Sequence, residues 1–527
     1  ANKNLFSSKN ASTNEVEVCD TVNNAGGVAY KKEKKAVLAQ IAATNCFNGT
    51  FYASAEDNLK LAKDAVLELK DDPEFIAKVA LYSREKAYMK DMPAFLTVLL
   101  SEINKPLFRK VFRKVVDNGK MLRNVIQMAR SGAVGKKKNM SAGTYRRAIQ
   151  EWFNAKSSKA LFKASIGNDP SMKDILAMAK PKPNSAEKNA LFGYFVGKKF
   201  EFDLLPEIVQ QYEKWKLTKE GPVPDVDFRM LDSLGLSDKD WTKIAENASW
   251  TMTRMNLNTF ARHGVFKDER VTKIVAERLK RREDIESARA FPYQLYTAWL
   301  ATNINDDVPF IVKEAMQDAM EISINNVPEF EGNVHVCCDQ SGSMSSPVTG
   351  STAGRHASVV TCAQVVGLIA SAVVRKNHSA TVWTFNKSAV KVNLNPRDTV
   401  FTNAKKLSNA GGGTNVAAPL AEMNKLNSKA DVILYVSDCE SWISGKSYGY
   451  GTALANEWKA FKSKNPKAKL ICCDLTPNAH CQIKQQKDVL QVGGFSDGVW
   501  EVIASFIKNG NESDHWVDEI EKVSLDL

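Results

Sequence analysis

The segment Asp339-Gln340-Ser341-Gly342-Ser343 sets a carboxylate and two hydroxyls at alternate positions, directly after the apolar run Val334-His335-Val336-Cys337-Cys338. Two other stretches offer donors of the same kind. Gly411-Gly412-Gly413-Thr414-Asn415 is a glycine loop ahead of a helical pattern, and Ser437-Asp438 ends the apolar run Val432 to Val436. Asp339, Ser341, Ser343, Thr414 and Asp438 form an all-oxygen set that suits a hard, octahedral divalent cation, Mg²⁺ first and Mn²⁺ as the alternative. Two carboxylates and three neutral hydroxyls leave such an ion under-neutralised, with a position open to water or to an acidic group of a protein partner. The glycines let the loop backbone come close enough to present Thr414. Taken alone, Ser341 and Ser343 also suit a turn or a helix cap. A phosphate-binding loop at Gly411 to Thr414 is excluded, because no Gly-Lys-Ser/Thr follows.

Positioning these donors requires a sheet. After Pro328, short apolar strands (Val334 to Cys338, Val432 to Val436, Leu470 to Cys473) alternate with helical runs at about Arg355 to Arg375, Val416 to Leu426 and Leu454 to Ser463. Thr381 to Phe385 and Ala389 to Val392 suit a hairpin. This alternation predicts a mostly parallel sheet covered on both faces, with ligands held at the carboxyl ends of its strands. From about Ala36 to Asn325 the pattern is helical instead. In Leu107 to Val116, apolar pairs recur every four residues, opposite Arg109, Lys110, Arg113 and Lys114. Successive short helices over such a length suit an array or solenoid of degenerate repeats better than one bundle. The expected organisation is an N-terminal segment 1–35, a helical module 36–327 and an α/β domain 328–527.

Charge divides along the same boundary. The 527 residues carry a net charge of +12, of which residues 328–527 contribute 20 basic and 19 acidic side chains and the preceding part 52 and 41. A basic helical part joined to a neutral α/β part points to a polyanion partner held mainly by the first. The densest stretch contains Lys136, Lys137, Lys138, Arg146, Arg147, Lys156, Lys159, Lys163, Lys173, Lys180 and Lys182. Phosphate contacts by such a surface weaken steeply with salt; the plain alternative is a set of solvated helix faces. Trp152, Phe153 and Phe162 lie among them at spacings that favour the helix core over a stacking platform.

Other classes find little support. No apolar run spans a bilayer, so no membrane association is expected, and Ala1 to Asn10 shows no apolar signal core; a cytoplasmic location is expected from the cysteines. The nine cysteines are odd in number, include the adjacent pairs Cys337-Cys338 and Cys472-Cys473, and lack CxxC spacing, so they read as reduced, mostly buried thiols. The six histidines are scattered, with no HExxH or Gly-x-Ser-x-Gly motif, and no general base stands near Asp339 and Asp438. Binding, not catalysis, is the expectation. A one-metal hydrolase is the distant third reading.

Asp-x-Ser-x-Ser after a first strand, then a Gly-Gly-Thr loop, then a strand-terminal Asp resemble the metal-ion-dependent adhesion site of von Willebrand factor A domains. The helical part extends the resemblance. Arg146 to Phe153, Met172 to Leu176 with Lys180 to Pro183, Met252 to Phe260, Phe291 to Gln294 and Gly494 to Asp497 resemble, in order, the stretches of the Ro autoantigen family, in its bacterial form. That family joins a helical TROVE module to an A domain. The resemblance implies an α-helical ring of HEAT-like repeats followed by a Rossmann-like α/β domain with a metal site, monomeric and without enzymatic activity. It further implies a central hole for single-stranded 3′ ends of misfolded RNA, and a basic outer surface for Y-like non-coding RNA. The role would be RNA quality control or the tethering of a 3′ exoribonuclease. Arg254, Asn256, Arg262 and His263 lie in a family-like segment and are expected near the hole. Animal members carry histidines in the stretch matching Met172 to Lys180, and this chain has none there, so those RNA contacts do not carry over. The alternative function is a metal-dependent protein-adhesion module whose basic helices are only structural.

Overall fold

The computed structural model describes residues 16–288, 292–324, 327–348, 360–443, 451–509 and 515–526. Local chemistry accounts for where its helices begin. Ser54 and Asp57 cap each other's backbone at the start of Ala55–Glu68. Asn104 caps Lys105–Val115, with Pro106 in the first turn where a missing N–H costs nothing. That helix buries Leu107, Phe108, Val111, Phe112 and Val115, and its charged residues lie on the other face, as the sequence pattern predicts. Neighbouring helices stack from Lys34–Thr44 to Phe310–Ser323. Asp91–Ile103, for example, packs on Pro73–Glu85, Lys105–Val115 and Gly119–Ser131. Trp152, Phe153 and Phe162 belong to this core, with exposures of 4%, 0% and 1%.

The first strands are β1 (Thr21–Val22) and β2 (Val28–Lys31). The α/β domain contains β3 (Val334–Asp339), β4 (Thr381–Phe385), β5 (Ala389–Val392), β6 (Val432–Ser437), β7 (Lys469–Asp474), β8 (His480–Cys481) and β9 (Val489–Gly493). Its main sheet has the order β5-β4-β3-β6-β7-β9; β5 runs antiparallel to β4, and every other neighbouring pair is parallel. β9 and the Val400–Leu407 helix were not anticipated from the pattern. In β9, Gln491 interrupts the apolar run, yet all five residues are buried, its side chain donating to the Ile483 carbonyl at 2.8 Å. The helix expected from Arg355 is described from Cys362 to Lys376; residues 349–359 lie outside the described residues.

β1 and β2 form a second, three-stranded sheet with β8, so residues 21–31 attach to the α/β domain and not to the helices that follow them. The α/β domain also holds both ends of the array. At one end Gln40 donates to the carbonyls of Asp474 (3.2 Å) and Thr476 (2.7 Å), and Lys35 and Lys78 pair with Glu521 at 2.5 and 3.1 Å. At the other, the Trp299 ring stacks on Phe401 at 4.5 Å, and Arg375 pairs with Glu321 at 3.1 Å. The helices therefore close into a ring through the α/β domain.

All nine cysteines are free thiols, seven of them buried. Among the described residues no helix is long and apolar enough to cross a membrane.

Candidate functional site

The β3–β6 pair sits at the switch point of the main sheet. The chain leaves β3 toward β4 on one side and returns as β6 on the other, which opens a crevice at the carboxyl edge. Cys338 pairs with Val436, so Ser437 lies beside Asp339 and Asp438 follows just beyond the edge. The strands are buried on both faces, which explains their unbroken apolar sequence.

All five expected cation donors converge on this edge and are buried: Asp339 and Ser341 at 0% exposure, Thr414 at 1%, Ser343 and Asp438 at 3%. Asp339 accepts the Ser341 N–H at 2.8 Å and the Ser437 hydroxyl at 2.5 Å. The Ser341 and Ser343 hydroxyls are 3.1 Å apart. The glycine loop is tied to the same edge, since Gly342 N–H donates to the Gly412 carbonyl at 2.9 Å and Gly411 N–H to the Gln340 carbonyl at 2.8 Å. Gly412 has φ +83°, a conformation that favours glycine, and a Cβ on Gly413 would run into Ile443 at 2.5 Å and Trp442 at 2.7 Å.

Burial pushes the carboxyls of Asp339 and Asp438 up, and for Asp438 the neighbouring Asp339 adds to the shift. Among the described residues no Lys, Arg or His lies within ion-pair distance of either carboxylate. A buried pair of like charges ringed by hydroxyls is unfavourable as it stands. A divalent cation would neutralise it with the oxygen donors such ions prefer. The residues thus fit the expected group.

Two contributors escape a reading of the α/β sequence alone. Glu440, 2% exposed, accepts from the Asn24 side chain (2.9 Å) and the Ala25 N–H (3.3 Å), and lies 3.0 Å from His480. Tyr52, from the loop ahead of Ala55–Glu68, has its phenol pushed up by burial, then by Asp438 and Glu440. Neither residue belongs to a local motif.

The second site is a cavity of about 970 Å³ inside the ring. It is lined from distant parts of the chain, including Arg84, Lys90, Lys120, Lys163, Arg229 and Arg254. The first residues of Gly119–Ser131 and of Trp250–Arg262 also line it, so two helix N-termini add positive potential. Its acids are already engaged: Asp117 by Arg84 at 2.7 Å, Asp225 by Lys163 at 3.2 Å and Asp227 by Arg229 at 3.1 Å. Lys90, Lys120 and Arg254 make no ion pair among the described residues. The Lys90 ammonium is pulled down by loss of bulk solvent and then by Lys120 and Arg84, and partial burial pulls Arg254 down as well. Cations crowded in this way favour an anion among them.

Of the residues expected near the hole, Arg254 and Asn256 line this cavity, as does Lys163. Arg262 and His263 are not among its lining residues. Arg262 is exposed elsewhere, and His263 is held by Asp238 at 2.8 Å with its ring stacked on Trp241 at 4.9 Å. Lys136, Lys137, Arg146, Arg147, Lys159, Lys173, Lys180 and Lys182 are exposed and are not among the cavity's lining residues. Lys138 is half-buried and pairs with Glu102 at 2.7 Å, and Lys159 pairs with Asp225 at 3.4 Å. Arg84, Lys90, Lys120 and Arg229 were missed. Lys120 carries a signal that could have found it: it stands in the first turn of a helix with no acid there, where the helix dipole disfavours a cation.

Comparison with known proteins supplies the context. The family model of the Ro60 vWA domain matches residues 333–507. The RNA-binding protein RO60 of Deinococcus radiodurans is 24% identical over 523 residues, covering 92% of this chain and 95% of that protein. The crystal structure of the Deinococcus radiodurans RO (RSR) protein superposes with a TM-score of 0.58 at 18% identity, over 91% of this chain and 100% of that one. Residues 333–507 thus match the Ro60 vWA domain, within a chain that resembles a Ro protein in sequence and fold over nearly its whole length.

Proposed function

We propose that this chain is an RNA-binding scaffold of the Ro type. The observation that carries the reading is the ring cavity, where Lys90, Lys120 and Arg254 crowd together without an ion-pair partner among the described residues. A phosphodiester backbone supplies the missing negative charge at regular intervals. Access to a closed ring favours a free single-stranded end over a duplex, so the 3′ tails of misfolded RNAs are the substrates of choice. The exposed lysines and arginines from Lys136 to Lys182 offer an outer surface for structured RNA of the Y-like class, which is read through its phosphates. Such a scaffold would serve RNA quality control, holding RNA for a 3′ exoribonuclease. It needs no catalytic residues of its own. The histidines support binding over catalysis: His263, His335 and His515 are engaged with Asp238, Trp383 and the Gln486 carbonyl.

The metal reading accompanies it. Asp339, Ser341, Ser343, Thr414 and Asp438 would hold Mg²⁺, or Mn²⁺ in its place. The bound ion would supply an electrophilic position for a carboxylate of an acidic protein partner. The uncompensated buried carboxylate pair favours this second role, which is compatible with RNA in the ring.

Equilibrium binding of one hairpin RNA, with and without a single-stranded 3′ tail, across a salt series tests the main reading. Tighter binding of the tailed RNA, with log affinity falling linearly in log salt, is expected. Equal, weak binding of both would refute it and leave the adhesion reading in front.

A further inference from the structure

Of the ten tryptophans, Trp442 alone is exposed, at 47%, and Ile443 beside it is exposed at 36%. Single exposed apolar residues are ordinary on a protein surface, but this pair stands at the rim of the cation site. Both backbone N–H groups donate to the Thr414 carbonyl at 3.2 Å. Both side chains lie over the preceding residue, Gly413, so closely that a Cβ there would stand 2.5 Å from Ile443 and 2.7 Å from Trp442. The indole is thus one residue from a cation donor, and half of it is open to solvent. The loop carrying it is held from two sides. The Ser441 hydroxyl donates to the Thr414 carbonyl at 3.4 Å and accepts the Val416 N–H at 3.2 Å, while Asn23 of the N-terminal hairpin donates to the Ser441 carbonyl at 2.7 Å. A Cβ on Gly27 would strike that same carbonyl at 2.0 Å, so the hairpin is pressed against the loop. On the other flank, Asn386 donates to the Gly411 carbonyl at 3.2 Å and its own carbonyl accepts the Asn415 N–H at 2.7 Å. The next residue there, Lys387, is exposed.

We propose that Trp442 and Ile443 form an apolar subsite beside the cation, so that this edge binds a protein segment in which an acidic residue stands next to a large apolar one. The inference rests on the metal reading above and names the partner that fits it. The carboxylate takes the open position on the ion, Lys387 adds attraction, and the neighbouring apolar side chain covers the indole and Ile443. A tryptophan fixed in this way is the kind of residue that anchors protein interfaces, because it buries a large area at small entropic cost. A nucleobase suits the place less. Ile443 offers no ring to stack on, and the α/β domain, with 20 basic and 19 acidic residues, lacks the positive surplus that phosphates favour.

Two acetylated pentapeptide amides are the probes, Gly-Gly-Asp-Leu-Gly and Gly-Gly-Asp-Gly-Gly, titrated into the full chain in saturating Mg²⁺ and again in chelator. Because Trp442 alone of the tryptophans is exposed, quenching of the intrinsic fluorescence by acrylamide reports how far it is covered. In Mg²⁺ the leucine peptide is expected to bind about 10-fold tighter than the glycine peptide and to shield Trp442; in chelator both should lose binding. Trp442→Ala should bring the ratio of the two affinities close to one. That ratio is internal to each protein, so a changed affinity for Mg²⁺ touches both peptides alike. Should Trp442→Ala melt early, Ile443→Ala makes the same comparison, and its ratio should fall. Equal affinities in the wild-type chain, or a ratio unchanged in both variants, would overturn the subsite and leave the metal reading standing. So would a chain that Mg²⁺ stabilises but that binds neither peptide. A decauridylate that shields Trp442 better than the leucine peptide would overturn it in favour of RNA. A chain whose melting temperature Mg²⁺ does not raise removes the metal reading, and this inference with it.

Discussion

Ser437 donates its hydroxyl to one oxygen of Asp339 across 2.5 Å, while the other oxygen of Asp339 accepts the Ser341 N–H at 2.8 Å. These bonds orient a fully buried carboxylate without neutralising it. Because Asp438 stands beside it, the edge carries a repulsion that only a cation or a proton relieves. Asp339→Asn keeps the shape and the bond from the Ser341 N–H, lets its amide N–H donate to the Ser437 oxygen in place of the bond it accepted, and removes one charge. In chelator this variant is expected to melt at or above the wild-type temperature. Wild type should gain about 2.7 kcal/mol when Mg²⁺ is a hundredfold above its Kd, a gain the variant lacks. Thermal melts across a Mg²⁺ series check both; a variant that melts well below wild type in chelator would mean that the carboxylate is structural.

The cavity cations differ in what holds them, and their variants should separate accordingly. Lys90 and Lys120 make no ion pair among the described residues, so Lys90→Ala and Lys120→Ala leave the fold intact. Each should cost about 1.5 kcal/mol in affinity for a tailed RNA and reduce the salt slope by about 0.7. Arg84 instead grips Asp117 through two nitrogens and the Met89 carbonyl at 3.1 Å. Arg84→Ala should lower the melting temperature before any RNA is added. Melts and fluorescence anisotropy on the same three proteins make the comparison, and a loss of RNA affinity with Arg84 alone would refute the assignment of Lys90 and Lys120.

The oxygen donors were legible because each of their three segments carries its own local signal: an apolar strand, a glycine loop, a strand-terminal acid. The parallel sheet then forces them together at one edge, so a reading of short patterns suffices. The ring cavity has no such grammar. Arg84, Lys90, Lys120, Arg229 and Arg254 come from segments spread over 170 residues of the chain, brought together only by the packing of the array. The density of lysines between Lys136 and Lys182 drew attention to that stretch. Of its expected contacts the cavity takes only Lys163, since amphipathic helices turn most of their charges outward. Glu440 was invisible for the same reason: its partners Asn24 and Ala25 are more than 400 residues away. The strands β1 and β2 escaped because two- and four-residue strands carry too little periodicity to read.

At its later end the ring closes in part through stacked aromatic side chains. Trp299 and Phe401 stack with an interplanar angle of 9°, and the Tyr296 ring also stacks on Phe401, at 5.6 Å. Phe401 is 2% exposed, so Phe401→Ala should cost about 3–5 kcal/mol through lost burial and the cavity left behind. The loss should be local. Hydrogen exchange is expected to rise first in Pro292–Asn303 and Val400–Leu407, with the strands at the sheet centre protected as before. Uniform loosening of the whole chain would show that this contact does not act as a separate latch.

His335 gives the chain an acid-side sensitivity whose sign follows from its partners. Its Nδ1 accepts the Trp383 indole N–H at 3.0 Å, which requires the neutral ring, and Lys391 lies close enough to disfavour a proton further. Burial is the larger cause, and together they bring the imidazole from 6.5 down to about 4. A folded value below the unfolded one means that the unfolded chain takes up the proton first as pH falls. Stability is therefore complete above pH 6.5 and is lost progressively toward pH 4, by roughly 3 kcal/mol from this residue. His335→Gln retains an acceptor for the indole but cannot titrate. Denaturant melts between pH 7 and 4 should show a slope for the variant that is flatter by about that amount. Parallel curves for the two proteins would mean that a proton enters the folded site without displacing the Trp383 bond.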